Sequence, residues 1–90
     1  KTPLLHMAKN NVFCTLDQKG KIMRKLVEDS EGAKREMIDG IKIFFDEYTW
    51  VLCIPDSERE IFHVNAEAKT QKRADQLVKE YSQKIKKYHG

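Results

Sequence analysis

The residues best equipped for chemistry lie in a short polar segment that follows an apolar stretch. Asp56, Glu58 and Glu60 contribute three carboxylates, while Ser57 and Arg59 contribute a hydroxyl and a cation. A hydroxyl beside a guanidinium can bind a phosphate, because both groups donate hydrogen bonds to its oxygens. The three carboxylates could instead bind a hard cation, but a calcium loop needs more oxygen ligands and a glycine turn. A third interpretation is an acidic, solvated turn between two strands.

The histidines and cysteines form no recognisable catalytic or metal-binding motif. His6 and His89 lie near the two ends of the chain, and His63 falls on the polar side of a predicted strand. None has a His, Cys or Asp partner at metal-ligand spacing, so we predict no catalytic residue and no metal site. Cys14 and Cys53 lie far apart among apolar neighbours, which predicts two buried free thiols and a reducing cytoplasm.

Positive charge is concentrated at the C-terminal end. The whole chain has a net charge of +3, but from Lys69 onward seven basic residues face two acidic ones, a net charge of +5. A basic helix can attract phosphates or nucleic acid, although most such faces are simply solvated. Trp50, Phe44 and Phe45 could stack on bases, but their apolar neighbours favour packing in the core. Since no lysine or arginine is expected between exposed aromatics on the sheet, nucleic acid is not predicted as a partner.

Length and composition limit the possible functions. Ninety residues predict one domain spanning 1–90, with a modest core and no deep cleft between two domains. The apolar fraction of 40% and charged fraction of 34% are typical of a soluble chain. No apolar run approaches the ~20 residues that span a bilayer, and no secretion signal is apparent. The absence of an initiator Met suggests an excised fragment or a processed chain.

In the N-terminal third, the pattern predicts a short strand and a helix. Residues 12–14 form the strand, after an irregular lead over residues 1–11. An apolar stripe then predicts a helix over residues 18–28, which Thr15 or Asp17 could cap with a side-chain oxygen.

The middle of the chain predicts a turn between two strands. Gly32 can end the first helix, because glycine readily adopts a positive φ. Residues 36–38 form a plausible strand that the turn or bulge at Asp39 and Gly40 interrupts. In the strand that follows, alternate positions from Ile41 through Ile43 to Phe45 share one face.

The C-terminal half predicts two further strands and a long helix. Residues 50–54 are almost wholly apolar, which favours a central, well-covered strand. After the loop that begins at Pro55, apolar and polar residues alternate over residues 62–67, as in a half-buried strand. Thr70 caps a helix over residues 71–88. These elements predict a two-layer α+β domain with a mainly antiparallel sheet of four to five strands and two helices on one face.

Four segments, in this order and spacing, resemble one protein family. Residues 20–24 (Gly-Lys-Ile-Met-Arg) are similar to the start of the first helix in mutase domains fused to sugar nucleotidyltransferases. Residues 38–43 match an Asp-Gly-Val/Ile strand pair, residues 50–52 match a Trp-Val-Leu strand, and residues 62–68 are close to Phe-His-Val-Tyr-Ala-Glu-Ala. The chain resembles the C-terminal domain of the α-D-phosphohexomutases, the phosphomannomutase and phosphoglucomutase family. It is most similar to the subgroup fused to a mannose-1-phosphate guanylyltransferase-like enzyme.

The phosphate loop of active family members reads Arg-Pro-Ser-Gly-Thr-Glu-Pro and falls on residues 54–60. Of its residues Pro55 is retained, while Ile54 replaces the arginine, Asp56 the serine and Glu58 the threonine. The fused subgroup, whose loop tends to read Pro-Asp-Pro, is closer. A carboxylate repels a phosphate charge by about 1 kcal/mol at ~4 Å even in water, so we predict that phosphate affinity is weakened or lost.

Ser57 and Arg59 remain the candidate phosphate- and substrate-binding residues, with Lys69 nearby. The resemblance implies that the catalytic phosphoserine and the Mg²⁺ ligands belong to other domains of a parent protein. This domain would then hold no cofactor, would not be catalytic alone, and would close the cleft and orient the phosphosugar. A purely structural or assembly domain is the main alternative, and a small basic nucleic-acid-binding domain is another.

Overall fold

Five antiparallel strands form one sheet in the order β1-β5-β4-β3-β2, and both helices pack on the same face of it. The computed structural model describes residues 4–89, so residues 1–3 of the predicted irregular lead lie outside the described residues. The elements in chain order are β1 (His6–Phe13), a 3-10 turn (Leu16–Gln18), α1 (Lys19–Asp29), β2 (Lys34–Glu36), β3 (Ile41–Asp46), β4 (Thr49–Pro55), β5 (Ile61–Ala68) and α2 (Gln71–Tyr88). The predicted two-layer α+β fold is confirmed.

The core lies between the sheet and the helices. Alternate residues of the strands point towards the helices, so every second side chain of β4 and β5 is buried. α2 contributes a buried stripe at helical spacing, and α1 contributes Ile22 and Leu26 to the same core. The largest fully buried side chains are Phe62, Ile22, Leu26, Ile41, Ile43, Leu77 and Ile85.

α2 begins and ends where the sequence predicts. The Thr70 hydroxyl accepts a hydrogen bond of 3.1 Å from the backbone N–H of Arg73, which satisfies one donor of the first turn. Its apolar stripe from Ala74 to Ile85 faces the sheet. Within residues 4–89, no helix is both long and apolar enough to cross a membrane.

The structure corrects the N-terminal prediction. β1 begins at His6 instead of residue 12, so most of the predicted irregular lead is a strand. The alternation is hidden because Asn10, which lies on the helix side, is polar and donates to the Ser82 hydroxyl at 3.2 Å. Neither Thr15 nor Asp17 caps α1, since the 3-10 turn separates Thr15 from the helix and no side chain caps its first turn.

The second strand is also displaced from its prediction. β2 covers Lys34–Glu36, and the predicted strand residues Met37 and Ile38 lie in an exposed turn instead. Two backbone features explain the turn: Asp39 has a φ of 60°, and a Cβ on Gly40 would lie 2.3 Å from the carbonyl oxygen of Cys53. The turn therefore lies so close to the backbone of β4 that only glycine fits at residue 40.

The two faces of the sheet differ in how far they are covered. Phe45 shares the helix-side face of Ile41 and Ile43, as predicted. Its ring contacts Tyr81 and Arg73 of α2, but 42% of the residue stays exposed. β4 is the central strand, as predicted, and its helix-side residues are buried. Trp50 and its alternate neighbours are half-buried on the face opposite the helices, which we call the open face.

Candidate functional site

The loop between β4 and β5 folds around the carboxylate of Asp56. The Asp56 N–H donates to the Ile61 carbonyl at 3.1 Å and so closes the loop. Its Oδ1 accepts the backbone N–H groups of Glu58 and Arg59, at 2.9 and 2.8 Å. An aspartate that bonds to the backbone two and three residues later stabilises a tight turn, which explains why the loop needs no glycine.

The second carboxylate oxygen of Asp56 binds two side chains. Oδ2 lies 3.2 Å from a terminal nitrogen of Arg59 and 3.0 Å from Nε2 of His63. The backbone N–H of Glu58, followed by His63 and the backbone N–H of Arg59, holds the pKa of Asp56 well below its usual range. Asp56 is therefore an anion at neutral pH, and it receives donors of the kinds that bind a phosphate oxygen.

Lys19 connects the loop to α1. It is the first residue of the helix, and only 9% of it is exposed. Its ammonium donates to the backbone carbonyl oxygens of Asp56 and Arg59. The ammonium of this buried cation is therefore already engaged by the loop backbone.

His63 extends the cluster to the edge strand. Its Nδ1 lies 2.9 Å from the side-chain oxygen of Asn11, its partner in the β1–β5 register. A carboxylate can only accept, so the proton on Nε2 belongs to the bond with Asp56. Nδ1 must then accept from the Asn11 amide nitrogen when His63 is neutral, or donate to the amide oxygen when it is charged. The orientation of Asn11 is thus coupled to the charge of His63.

The two predicted phosphate-binding residues differ in their surroundings. Ser57 and Arg59 are both exposed, with the Arg59 side chain 71% exposed. The guanidinium is already paired with Asp56, whereas the Ser57 hydroxyl makes no hydrogen bond within the described part of the chain. Phosphate binding by this pair stays a prediction.

The sequence did not reveal the contributions of Lys19, Asn11 and His63 to the loop. Asn11 and His63 are separated by 52 positions and meet only through the strand register. The one local signal was the position of His63 on the polar side of its strand, near an acidic loop.

Aromatic rings and lysines alternate on the open face. This is contrary to the predictions that Trp50 and Phe44 pack in the core and that no lysine lies between exposed aromatics of the sheet. Trp50 and Phe44 are cross-strand partners and lie outside the core. The Lys42 ammonium lies 4.3 Å from the Trp50 ring centre and 5.3 Å from that of Phe44, while Lys34 lies 5.5 Å from Phe44. Such contacts stabilise by about 0.5–1 kcal/mol at exposed sites. The Trp50 indole nitrogen also donates to Glu67 at 3.1 Å.

The cysteines are buried free thiols, as predicted. Burial raises the pKa of Cys53 to about 12, so this thiol is inert. His89 packs against the N-terminal region, where its ring nitrogen accepts the N–H of Thr15 at 3.3 Å. Among residues 4–89, no three His, Cys, Asp or Glu side chains lie close enough together to hold a metal ion.

Comparison with known proteins gives one distant relationship. No family model matches the chain. Over 81 residues the chain is 31% identical to a phosphopentomutase of Thermococcus kodakarensis, a match that covers 83% of this chain and 18% of that protein. The chain therefore spans less than a fifth of the length of the relative it matches. That relative is a phosphomutase of the same broad superfamily as the phosphohexomutases, and the similarity selects no subgroup.

Proposed function

We propose that this chain is the C-terminal domain of a phosphohexomutase-like protein of sugar-phosphate metabolism. In that protein it closes the active-site cleft and orients the phosphosugar, a positioning role that involves no bond-making by this domain. One observation carries the proposal. The loop at the position of the family's phosphate loop gathers backbone N–H groups and the Arg59 guanidinium around one anion, and that anion is Asp56.

An internal anion explains why phosphate affinity should be weak. A phosphate group would have to displace Asp56 from its donors or sit beside it, where like charges repel by about 1 kcal/mol at ~4 Å in water. Lys19 cannot compensate, because its ammonium binds the loop carbonyl groups. The loop therefore offers donors of the kinds that a phosphate needs, while its own carboxylate occupies them.

The finer features of the parent protein are part of the same proposal. The parent is a phosphomannomutase-like isomerase fused to a sugar-1-phosphate nucleotidyltransferase, and its other domains supply the Mg²⁺ site and the catalytic groups. The motif matches at residues 20–24 and 62–68 support this fusion, while those at residues 38–43 and 50–52 support the family in general. A reducing cytoplasm is supported by the two buried free thiols.

Restoring the family's loop tests the proposal. The triple variant Ile54→Arg/Asp56→Ser/Glu58→Thr should gain saturable binding of glucose 1-phosphate or mannose 1-phosphate, seen as amide shifts at Ser57 and Arg59. The wild type should show no saturable shifts there at submillimolar ligand. Ile54→Arg alone is the matched control, because it adds the cation but leaves Asp56 in place, and it should not bind.

Two results would contradict the proposal. If the triple variant folds but binds neither sugar phosphate, the loop is not related to a phosphate-binding loop. Submillimolar binding to the wild-type loop would show that Asp56 does not block it.

A structural or assembly domain is a second candidate, favoured by the apolar centre of the open face. Trp50, Leu52 and Ile54 form a half-buried row along the central strand, with charged side chains around it, as in many interfaces. For this function, Leu52→Asp should abolish assembly of the parent protein without changing the fold of this domain. The phosphosugar response of the triple variant would then be absent.

A further inference from the structure

β1 has one unpaired edge, and the hydrogen-bond pattern shows which residues face it. The strand pairs with β5 on one side and is the last strand of the sheet. The Cys14 N–H bonds to the Glu60 carbonyl at 3.0 Å, just beyond the ladder. Because antiparallel pairs alternate, the even-numbered residues of β1 bond to β5, and the odd-numbered residues direct N–H and C=O outwards.

The two ends of α2 cap the two ends of this edge. Gln71, the first residue of α2, donates its side-chain amide to the Met7 carbonyl at 3.0 Å. His89, just after the last residue of α2, accepts the Thr15 N–H at 3.3 Å. Between these caps, the outward backbone groups of Lys9 and Asn11 make no hydrogen bond within residues 4–89. The edge is therefore closed at its ends and open in the middle.

A groove lies on each face of this open edge. On the helix side, a groove of about 440 Å³ runs between β1 and α2, with Ala8 and Val78 at its base and Ser82 in its wall. On the open face, Lys9 and Asn65 are cross-strand partners beside a second concavity. A strand added to the edge would direct alternate side chains into the two grooves, as in β-augmentation.

The charges around the open edge of β1 indicate what kind of peptide strand could bind there. Lys79 and Lys86 line the helix-side groove against one acid, Asp75, a net charge of +1, and Lys9 adds a further positive charge on the open face of the same edge. A second copy of this chain would bring two such sets of lysines together, and a lysine in the middle of an edge strand opposes self-pairing. The geometry points to an extended acidic peptide segment that binds between the Gln71 and His89 caps as a sixth strand of the sheet.

Hydrogen exchange with a designed probe tests this binding. The probe is a blocked peptide of alternating glutamate and valine, about eight residues long to suit a normal strand. It should slow the exchange of the Lys9 and Asn11 backbone amides. Two control peptides should not: one with lysine in place of glutamate, and one with proline at alternate positions, which cannot pair.

Two charge-reversed variants test the groove. Lys79→Glu/Lys86→Glu should weaken the binding of the acidic peptide by about tenfold or more. Lys25→Glu/Lys87→Glu changes the net charge equally, but neither residue lines the groove, and it should bind almost as the wild type does.

Three outcomes would overturn the inference. The first is absence of amide protection at any peptide concentration. The second is equal weakening in both double variants, which would mean that only overall charge matters. The third is protection without peptide that rises with protein concentration together with a dimer, which would identify a second copy as the occupant.

Discussion

At the scale of single residues, Asp56 determines what the β4–β5 loop can do. Its carboxylate receives two backbone N–H groups, a guanidinium and an imidazole, so the loop is organised without an external anion. The same donors that would bind a phosphate therefore stabilise the fold. The proposal of weakened phosphate binding therefore depends on the aspartate that stands at the position of the serine in the family's loop.

Asp56→Asn should make the protein less stable at neutral pH. The folded-state pKa is lowered, so the stabilisation is complete above the unfolded value of about 3.9 and disappears as pH falls through the folded value. The difference in unfolding free energy between the wild type and Asp56→Asn should therefore shrink below about pH 4. Urea unfolding across this range measures it. Glu31→Gln, exposed and away from the loop, is the control, and an unchanged difference down to low pH would contradict the assignment.

Gly40 and Gly20 offer a matched pair of substitutions. Gly40→Ala should destabilise by about 2–4 kcal/mol, because the new Cβ would meet the backbone of Cys53 and Ile54 at 2.3 and 3.0 Å. Gly20→Ala meets nothing within 4 Å and lies in α1, so it should stabilise by about 0.5–1 kcal/mol. Thermal unfolding of the two variants measures whether each loses or gains stability. If Gly40→Ala is as stable as the wild type, the close approach of Gly40 to β4 is refuted.

At the scale of elements, α1 and the loop are coupled through Lys19. Lys19→Met should leave two loop carbonyl groups unpaired while keeping most of the side-chain volume. Amide exchange at Glu58 and Arg59 should accelerate, while the amides of α2 should not change. Lys25→Met, on the exposed side of α1, should leave the loop unchanged, and equal exchange in the two variants would show that Lys19 does not hold the loop.

Elements were predictable where their signals are local. The prediction of α2 was correct because its apolar stripe and its Thr70 cap lie within one continuous segment of the sequence. β1 and β2 were misplaced because polar residues occupy both of their faces, so the alternation of an edge strand is weak. The His63–Asp56–Asn11 cluster depends on strand register and a loop conformation, which no local pattern reports.

At the scale of the whole molecule, one core connects both helices to the central strand, and Cys53 lies within it. Its thiol is fully buried and its pKa is raised to about 12, so alkylation should require global unfolding. In single-thiol variants, Cys53 should react more slowly than Cys14, which lies just after the last residue of β1, where we expect local opening. Alkylation rates at increasing urea measure this. Equal alkylation rates of Cys53 and Cys14 in the absence of urea would show that Cys53 becomes accessible by local unfolding of the core.

The contacts that α2 makes with β1 also limit how the sequence can change in length. A helix rises about 1.5 Å per residue, so the 18 residues of α2 extend over about 27 Å. A strand rises about 3.3 Å per residue, so the path from Met7 to Thr15 covers about 26 Å. Deleting one residue within α2 would turn one end by about 100° and remove either the Gln71 or the His89 contact. Insertions and deletions in α2 should therefore be rare among descendants of this sequence, or be accompanied by a matching change in β1.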